Sequence, residues 1–539
     1  MSQDPVEVQI WAQDPLSTPE RVTIAIPNVH LESGPRDAQF IVHDVDHSAG
    51  AVYQPARFLP DQNAFEPLGP DDVRTHQVNA FAVARRTLEM IESAIGRQVH
   101  WAFGPQLAIH PHYLQDRNAY YSRDEGALAF FYFDIAFRVG KVFTALSHDI
   151  VAHELGHAAL DGLKPFYFGF APVETGAFHE AFGDLCAMFS ALTFPEVVAR
   201  VMEATGGDLN RPNIASLMAE EFGYGLYGPG RYFLRYAGDP ITYGEAAGTE
   251  IHDFSVLLTA TMYQILVAFY EINRRRTDEA LTDAEALIEA TRHLRRIAFR
   301  AINYMPPTAA FFRTYGQALI AADAQAFPED EHGYRAVIKQ VFAERGIVAD
   351  PEELTTAQAL SLKWNRAREP RELYEFIYRH RDDLGIPSNT MVRLNFPTIA
   401  FVDQSGVTSK GAQPLKETII EYTYPIEALV IPEWGPIPVD FGGTLVFNER
   451  RQLVAHFRIP EAPGGEGEYL QQLIGYYNSL RERKQIALLD GKPSQEGVFT
   501  LYRLPHGGAA MRLNVCSRFR SSEMSVAPYP IARLKAPVG

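Results

Sequence analysis

Two histidines and a glutamate lie close together in the stretch DIVAHELGHAALDG, residues 149–162. His153 and His157 are four residues apart, so on a helix their side chains project from one face about one turn apart. Glu154 directly follows the first histidine. This HExxH arrangement is typical of a helix that binds Zn²⁺ through both imidazoles and uses the glutamate as a general base. A buried helix that uses its histidines only for packing or hydrogen bonding is the alternative interpretation.

A second stretch, ETGAFHEAFGDLCAMFSAL at 174–192, also has helical periodicity. Glu180 and Asp184 are four residues apart and share a face. Glu180 would complete a His₂Glu zinc site with an open position for water, and Asp184 would accept the second ring N–H of a zinc-bound histidine. The alternative is a solvated acidic face. Apolar neighbours of the two carboxylates argue against it: Phe178, Ala181, Phe182, Leu185 and Cys186.

Six segments in the same order resemble those of the thermolysin family of zinc metallopeptidases, over about residues 70–348. Two are the stretches above, and a third is NAYY followed by the strand-like ALAFFYFD, which resembles the family's substrate-binding edge strand. The remaining segments resemble its arginine segment, its catalytic-histidine segment and its C-terminal helices: GRYFLRYAGDP (230–240), EIHDFSVLLTATMYQI (250–265) and AFRAINYMPPTAAFFRTYGQALIAADAQAF (298–327).

The resemblance implies roles for the catalytic residues. His153, His157 and Glu180 would bind zinc, and Glu154 would take a proton from zinc-bound water and pass it to the leaving amine. His252 would stabilise the oxyanion of the tetrahedral intermediate, helped by a tyrosine. Tyr167 is the best candidate for that tyrosine, and Tyr224 is the alternative.

The resemblance also assigns residues around the zinc site. Asp184 and Asp149 would lie behind the ligands, with Asp184 orienting a histidine. Asn118 and Ala119 would hold the substrate backbone as an added strand. A substrate carbonyl on the leaving-group side would be gripped by Arg231, with Arg235 as the alternative.

Three features depart from the family pattern. The connection between His157 and Glu180 is a few residues longer than usual. His179 stands where the family usually has asparagine, so it is a candidate hydrogen-bond donor behind a zinc ligand, an added ligand or a substitute hydrogen-bond partner. The family's calcium-binding acidic cluster is poorly reproduced around Asp149, so stability is expected to depend on zinc more than on calcium.

The elements that must position these residues follow from periodicity. Residues 1–160 are predicted to form an α/β lobe that ends in the zinc helix, including a helix at about 73–95 and a strand at 126–134. A helical lobe is predicted at 161–349, a helical linker at 350–389, and a β-rich domain with one helix at 390–539. The expected fold class is α+β, a thermolysin-like enzyme of two lobes with an additional C-terminal domain.

Composition limits the partners and the location. The 539-residue chain carries 49 basic and 66 acidic side chains, a net charge of −17 that argues against a nucleic-acid or anionic-membrane partner. No secretory signal or membrane-length apolar run is visible, which favours a cytoplasmic protein. The two cysteines lie far apart, without a metal or redox spacing.

The expected function is zinc-dependent endopeptidase activity on peptide or protein substrates. A zinc aminopeptidase is one alternative, although those enzymes usually carry a Gly-x-Met-Glu-Asn strand where this sequence has NAYY. A catalytically inactive binding protein on the protease fold is the other. The C-terminal domain is predicted to bind a protein partner or to cover part of the cleft, with the Pro-rich tail at 525–539 as a candidate inhibitory strand.

Overall fold

The structure, a computed structural model, describes most of the chain. The described residues are 4–15, 18, 20–135, 137, 139–169, 171–228, 233–247, 250–276, 280–355, 360, 362–363, 370–395, 397–402, 415–431, 435–460, 466–482, 486–488, 499–503 and 509–513. The predicted site residue Arg231 and the tail at 525–539 lie outside them. Helices and strands account for 45% and 22% of the residues, which confirms a mixed α and β chain.

The first part of the chain is rich in short strands, as predicted. They are β1 Val6–Trp11, β2 Arg21–Ile26, β3 Phe40–Val42, β4 Val45–Asp46, β5 Ala51–Val52, β6 Phe58–Leu59, β7 Ala64–Phe65, β8 Leu107–Gln115, β9 Ala119–Ser122, β10 Ala127–Asp134 and β11 Lys141–Phe143. The main sheet has the order β11-β10-β8-β3, and β9 pairs antiparallel with β10. Within the described residues β9 has β10 as its single strand partner, so it is an edge strand of this sheet.

Helix α1, Val73–Ile95, matches the predicted range. It begins where the Asp72 side chain accepts the Arg74 N–H, and it ends at Gly96, whose φ of 72° is the left-handed conformation that glycine adopts at little cost. Its buried face packs against helices that follow it in the chain, including those at His148–Leu163 and Asp283–Arg300.

Helices α2, His148–Leu163, and α3, Val173–Ala191, carry the two chemical motifs. Ser147 caps α2, and a short 3₁₀ turn, Pro165–Phe168, follows it. Every residue of α3 from Glu174 to Ala191 is buried, which is typical of a helix at the centre of a core.

Two glycines let α2 and α3 cross in direct backbone contact. A Cβ on Gly156 would lie 3.0 Å from the Cα of Gly183, and a Cβ on Gly183 would lie 2.7 Å from the His153 ring. Side chains at either position would force the helices apart. The crossing therefore sets how close the carboxylates of α3 come to the histidines of α2.

The chain stays mainly helical as far as residue 344. The remaining elements of this part are α4 Pro195–Thr205, β12 Leu217–Met218, α5 Glu220–Tyr227, β13 Arg235–Tyr236, α6 Tyr243–Ala246, α7 Ile251–Arg274, α8 Asp283–Arg300, α9 Phe312–Ala326 and α10 Tyr334–Glu344. Helix α7 is long and apolar enough to cross a membrane, but 67% of its most apolar window is buried inside the protein, as in a core helix. Helices α3 and α4 pass the same test only as a pair bent by 95°.

The last part of the chain returns to strands, again as predicted. Its elements are α11 Pro370–Arg379, β14 Arg393–Leu394, β15 Thr398–Val402, β16 Leu415–Ile431, β17 Gly435–Phe447, β18 Leu453–Ile459, α12 Glu466–Glu482, β19 Ile486–Leu488, β20 Phe499–Arg503 and β21 Ala509–Leu513. A sheet of order β14-β16-β17-β18, with β15 also on β16, forms its centre. Buried side chains of this sheet, such as Ile420 and Phe441, belong to the same contiguous core as α2 and α3.

Candidate metal centre

His153, His157 and Glu180 form a buried group, called here the metal cluster, whose donor atoms lie within 4.8 Å of one another. Oxygens of Glu180 lie 3.6 Å from His153 Nε2 and 3.5 Å from His157 Nε2. Nitrogen and oxygen ligands about 2.0–2.1 Å from a tetrahedral zinc ion would be roughly 3.4 Å apart. The cluster therefore could hold a metal ion. Glu154, the next residue after His153 on α2, is fully buried.

Several side-chain nitrogen and oxygen atoms around the metal cluster have no hydrogen-bond partner among the described residues. They include Nε2 of His157 and Oε1 of Glu180, both buried. A buried polar atom left without a partner costs free energy, so such atoms are rare unless a ligand or water meets them. Their convergence fits a site that receives a cation.

Asp184 fixes the orientation of His153. Its Oδ1 lies 3.1 Å from His153 Nδ1, which must be the donor because a carboxylate accepts. Thr259 of α7 donates to the other oxygen, Oδ2, at 2.9 Å. With its Nδ1–H used in this way, His153 has Nε2 as the atom that can bind a metal, as in a metal-ligating histidine.

His179 plays the corresponding part for His157. The two Nδ1 atoms lie 3.1 Å apart, so one ring donates and the other accepts. If His157 Nε2 carries the lone pair that binds a metal, His157 Nδ1–H is the donor and neutral His179 accepts. Burial and the nearby His157 hold the pKa of His179 well below its ordinary value, which suits an acceptor. Phe168 packs edge-on against the His179 ring at 4.6 Å.

Arg235, the alternative to Arg231 in the sequence analysis, lies at the cluster. Arg235 lies on strand β13, which pairs with β12. Its guanidinium lies 2.8 Å from Glu180 Oε2 and 2.6 Å from Asp184 Oδ1. One arginine thus bridges the candidate third ligand and the carboxylate behind His153. Arginine has five N–H donors, so two contacts leave further donors for a substrate.

The electrostatics keep two of the three candidate ligands, Glu180 and His157, in forms that bind metal. Burial alone would raise the pKa of Glu180, but His252, His157 and Arg235 outweigh it, and the pKa lies well below its ordinary value. Burial lowers the pKa of His157 to about 3. Glu180 is therefore ionised and His157 neutral at neutral pH, the states that a metal ligand needs. For His153, burial lowers the pKa, but the carboxylates of Asp184 and Glu180 outweigh it and raise the pKa to about 9, so a metal must displace its proton.

His252 lies in the first turn of α7, and its ring faces the same space. Its Nδ1 donates to Glu250 Oε1 at 2.7 Å, while its Nε2 lies 3.6 Å from Glu180 Oε1. The Glu250 contact holds the ring so that Nε2 points towards the cluster. The side chain is 22% exposed, which leaves it accessible from the solvent side.

The edge strand β9 packs against α2. Asn118 precedes it, and its buried side-chain Oδ1 has no hydrogen-bond partner among the described residues. Ala119 pairs with Phe130 of β10. At the other end of the strand, the Tyr121 hydroxyl donates to Asp161 of α2 at 2.6 Å, and Arg123 donates to the same carboxylate. These contacts fix β9 relative to the helix that carries both histidines.

Tyr167 does not fit its predicted role. Its ring is fully buried, and its hydroxyl donates to the carbonyl oxygen of Pro306 at 2.8 Å instead of facing the metal cluster. The short 3₁₀ turn after α2 directs the side chain into the core. The alternative, Tyr224 of α5, packs against Phe137.

Asp149 lies on the first turn of α2 and accepts the Ala219 N–H at 3.4 Å. Burial and the neighbouring Asp14 and Glu220 raise its pKa well above the ordinary value. It is thus part of a separate acidic group.

Sequence reasoning missed some of these contacts. The Asp184 contact with Thr259 joins residues 75 positions apart, and no local pattern announces it. The small residues at 156 and 183 were a usable signal, since glycine on facing helices permits close approach. Comparison of the sequence with protein-family models and with curated proteins found no match, so the likeness to the thermolysin family rests on the motifs alone.

Proposed function

We propose that this protein is a zinc-dependent endopeptidase of thermolysin type, with the metal cluster at the junction of a β-rich and a helical lobe. The observation that carries the proposal is the spacing of 3.5–3.6 Å between Glu180 oxygens and the two imidazoles. Two imidazoles and one carboxylate suit zinc, though iron also takes such a set. Glu154 beside the first histidine favours zinc hydrolysis chemistry. When bound, zinc would supply Lewis acidity and an activated water.

The residues of the chain have distinct tasks in this reaction. Glu154 accepts a proton from the attacking water and delivers it to the leaving amine. His252 donates through Nε2 to the oxyanion, held in place by its Glu250 contact. Asp184 and His179 hold the two histidine ligands in the required tautomers.

Substrate binding falls to the rim of the site. An extended peptide would add to the edge of β9, where the Asn118 amide oxygen accepts a peptide N–H. The remaining donors of Arg235 would hold a carbonyl on the leaving-group side. A role for the C-terminal region in binding a protein partner, and a cytoplasmic location, stay predictions.

The test combines metal analysis with two kinds of substrate. The purified chain should contain zinc and cleave an internally quenched peptide blocked at both ends. Glu154→Gln should keep its zinc and lose about 10²–10⁴ in turnover, the range of general acid–base catalysis. Glu289→Gln is the control, because that carboxylate lies in an exposed pair with Arg292.

Each rival predicts a different result. An aminopeptidase would release N-terminal residues from an unblocked peptide and leave the blocked one intact. A binding protein would retain zinc without hydrolysing either peptide. Iron in place of zinc, or a Glu154→Gln variant as active as the wild type, would contradict the proposal.

A further inference from the structure

Strand β16 of the C-terminal sheet carries two carboxylates that meet buried cations of the catalytic half. Glu417 and Glu421 are four residues apart and so share a face of the strand. Arg300 donates to Glu417 at 2.6 Å, and Lys164 donates to Glu421. Both cationic side chains are fully buried. These four residues are called the interface cluster below.

Lys164 lies directly after α2, so its position affects the helix that carries both histidines. Its ammonium group also donates to the carbonyl oxygen of Met305 at 2.7 Å. Placing an ammonium group in a core is costly unless a countercharge accompanies it. The countercharge here comes from Glu421, 257 residues further along the chain.

A continuous set of contacts leads from Lys164 to the metal cluster. Thr444 of β17 donates to the same Met305 carbonyl at 2.8 Å, and Tyr167 donates to the next one, that of Pro306. The connection between α2 and α3 is thereby tied to residues 305–306 and through them to the C-terminal sheet. Phe168, next to Tyr167, packs on His179, which hydrogen-bonds His157.

We infer that Glu421 is a positioning residue for the metal centre. By neutralising Lys164, it holds the connection between α2 and α3 in the shape that presses Phe168 on His179 and orients His157. The C-terminal sheet is then a permanent part of the site and not a detachable recruitment module. The longer connection between the two helices is the element that this sheet supports. The inference rests on the metal centre of the proposed function.

The experiment measures zinc affinity in Glu421→Gln by competition with a chromogenic chelator, at a temperature where the chain is folded. Zinc should bind about 10–100-fold more weakly, the usual effect of losing an outer-shell partner. Glu417→Gln is the matched control, since it lies on the same face of β16 but contacts Arg300 and Tyr304 instead of Lys164. Asp440→Asn, in the exposed pair with Arg393, is a second control.

A merely structural role would lower the melting temperature of Glu421→Gln and Glu417→Gln alike and leave zinc affinity equal in both. That result would overturn the inference. If Glu421→Gln does not fold, the double variant Lys164→Met with Glu421→Gln removes the buried charge and should fold. It lacks the contacts of the Lys164 ammonium group with Glu421 and with the Met305 carbonyl, so it should still bind zinc about tenfold more weakly. Wild-type affinity in the double variant would also overturn the inference. Because the readout is metal affinity, absence of peptidase activity would contradict the proposed function without affecting this comparison.

Discussion

The metal cluster and the interface cluster are both buried groups of charged side chains, but they differ in how far apart their atoms lie. Their nearest members in the sequence are less than the length of a helix apart. In the metal cluster, the Glu180 oxygens stand 3.5–3.6 Å from imidazole nitrogens. In the interface cluster, Arg300 lies 2.6 Å from Glu417, with the Tyr304 hydroxyl 2.5 Å from the same oxygen. The second spacing is that of charge-assisted hydrogen bonds, and the first is too long for one.

The difference shows how one fold uses buried polarity for two purposes. Charged atoms that are drawn together in pairs neutralise each other, so neither is left as an uncompensated buried charge. Atoms that converge but stop short of hydrogen-bond distance leave a space with unsatisfied lone pairs, and a small cation is the natural occupant. The same types of side chain can therefore be assigned a structural or a ligand-binding role from their separation.

Removing Glu180 is the most severe test of this distinction. Glu180→Ala leaves two histidines, an incomplete zinc site, so we expect no zinc to survive dialysis. Its arginine neighbour, Arg235, keeps Asp184 as a partner, so the metal-free fold should persist. Metal analysis after dialysis and a circular dichroism spectrum check both parts. Full zinc occupancy would remove Glu180 from the ligand set.

Removing Glu417 should lower the stability of the fold, whereas removing Glu180 should remove the metal. Glu417→Leu leaves Arg300 fully buried without its carboxylate, and breaking such a pair costs about 3–5 kcal/mol of the free energy of unfolding. The double variant Arg300→Met with Glu417→Leu should recover much of the loss, since no buried charge remains. Urea denaturation measures both. Equal stability of wild type and Glu417→Leu would show that the interface cluster is not a stabilising pair.

Among the residues around the metal cluster, His252 should affect the reaction rate but not the zinc content. His252→Ala should lower kcat by about 10²–10³, with a smaller change in KM, because an oxyanion donor acts mainly in the transition state. Zinc content should match the wild type. A decrease below about fivefold would assign the oxyanion to another donor.

The sequence predicted the metal cluster well because its information is local. Spacings of four residues place His153 with His157 and Glu180 with Asp184 on common helix faces, whatever the tertiary structure. The predicted role of Tyr167 was wrong. The direction of a side chain in a connection between helices is set by its tertiary contacts and not by periodicity. The contact between Lys164 and Glu421 is beyond such reasoning, since a buried cation and its distant partner leave no pattern in one sequence.

The helix crossing offers a more subtle way to disturb the metal cluster. Gly183→Ala would place a Cβ 2.7–2.9 Å from three atoms of the His153 ring and push that ring away from Asp184. We expect zinc affinity to fall about tenfold, as for other losses of ligand orientation. Gly475→Ala is the control, because the Cβ there meets open space on α12 and should gain up to about 1 kcal/mol from helix propensity. If both variants bind zinc as the wild type does, the crossing distance does not set the site.

A third buried group, around Asp149, differs from both clusters because the neighbouring charged groups that raise its pKa carry the same sign of charge. Burial, Asp14 and Glu220 raise the pKa of Asp149 well above its ordinary value. A carboxyl group raised in this way contributes stability that is complete below its unfolded pKa of about 3.9 and is lost as the pH rises through the folded value. Asp149→Asn keeps an oxygen for the Ala219 N–H and removes the charge. Its melting temperature should therefore vary less between pH 4 and pH 8 than that of the wild type, and it should be a few degrees higher at pH 8. Thermal melts with and without millimolar calcium test this. A variant that melts lower at pH 8, together with a wild type that calcium stabilises and magnesium does not, would show that these carboxylates are spaced for a cation and belong with the metal cluster after all.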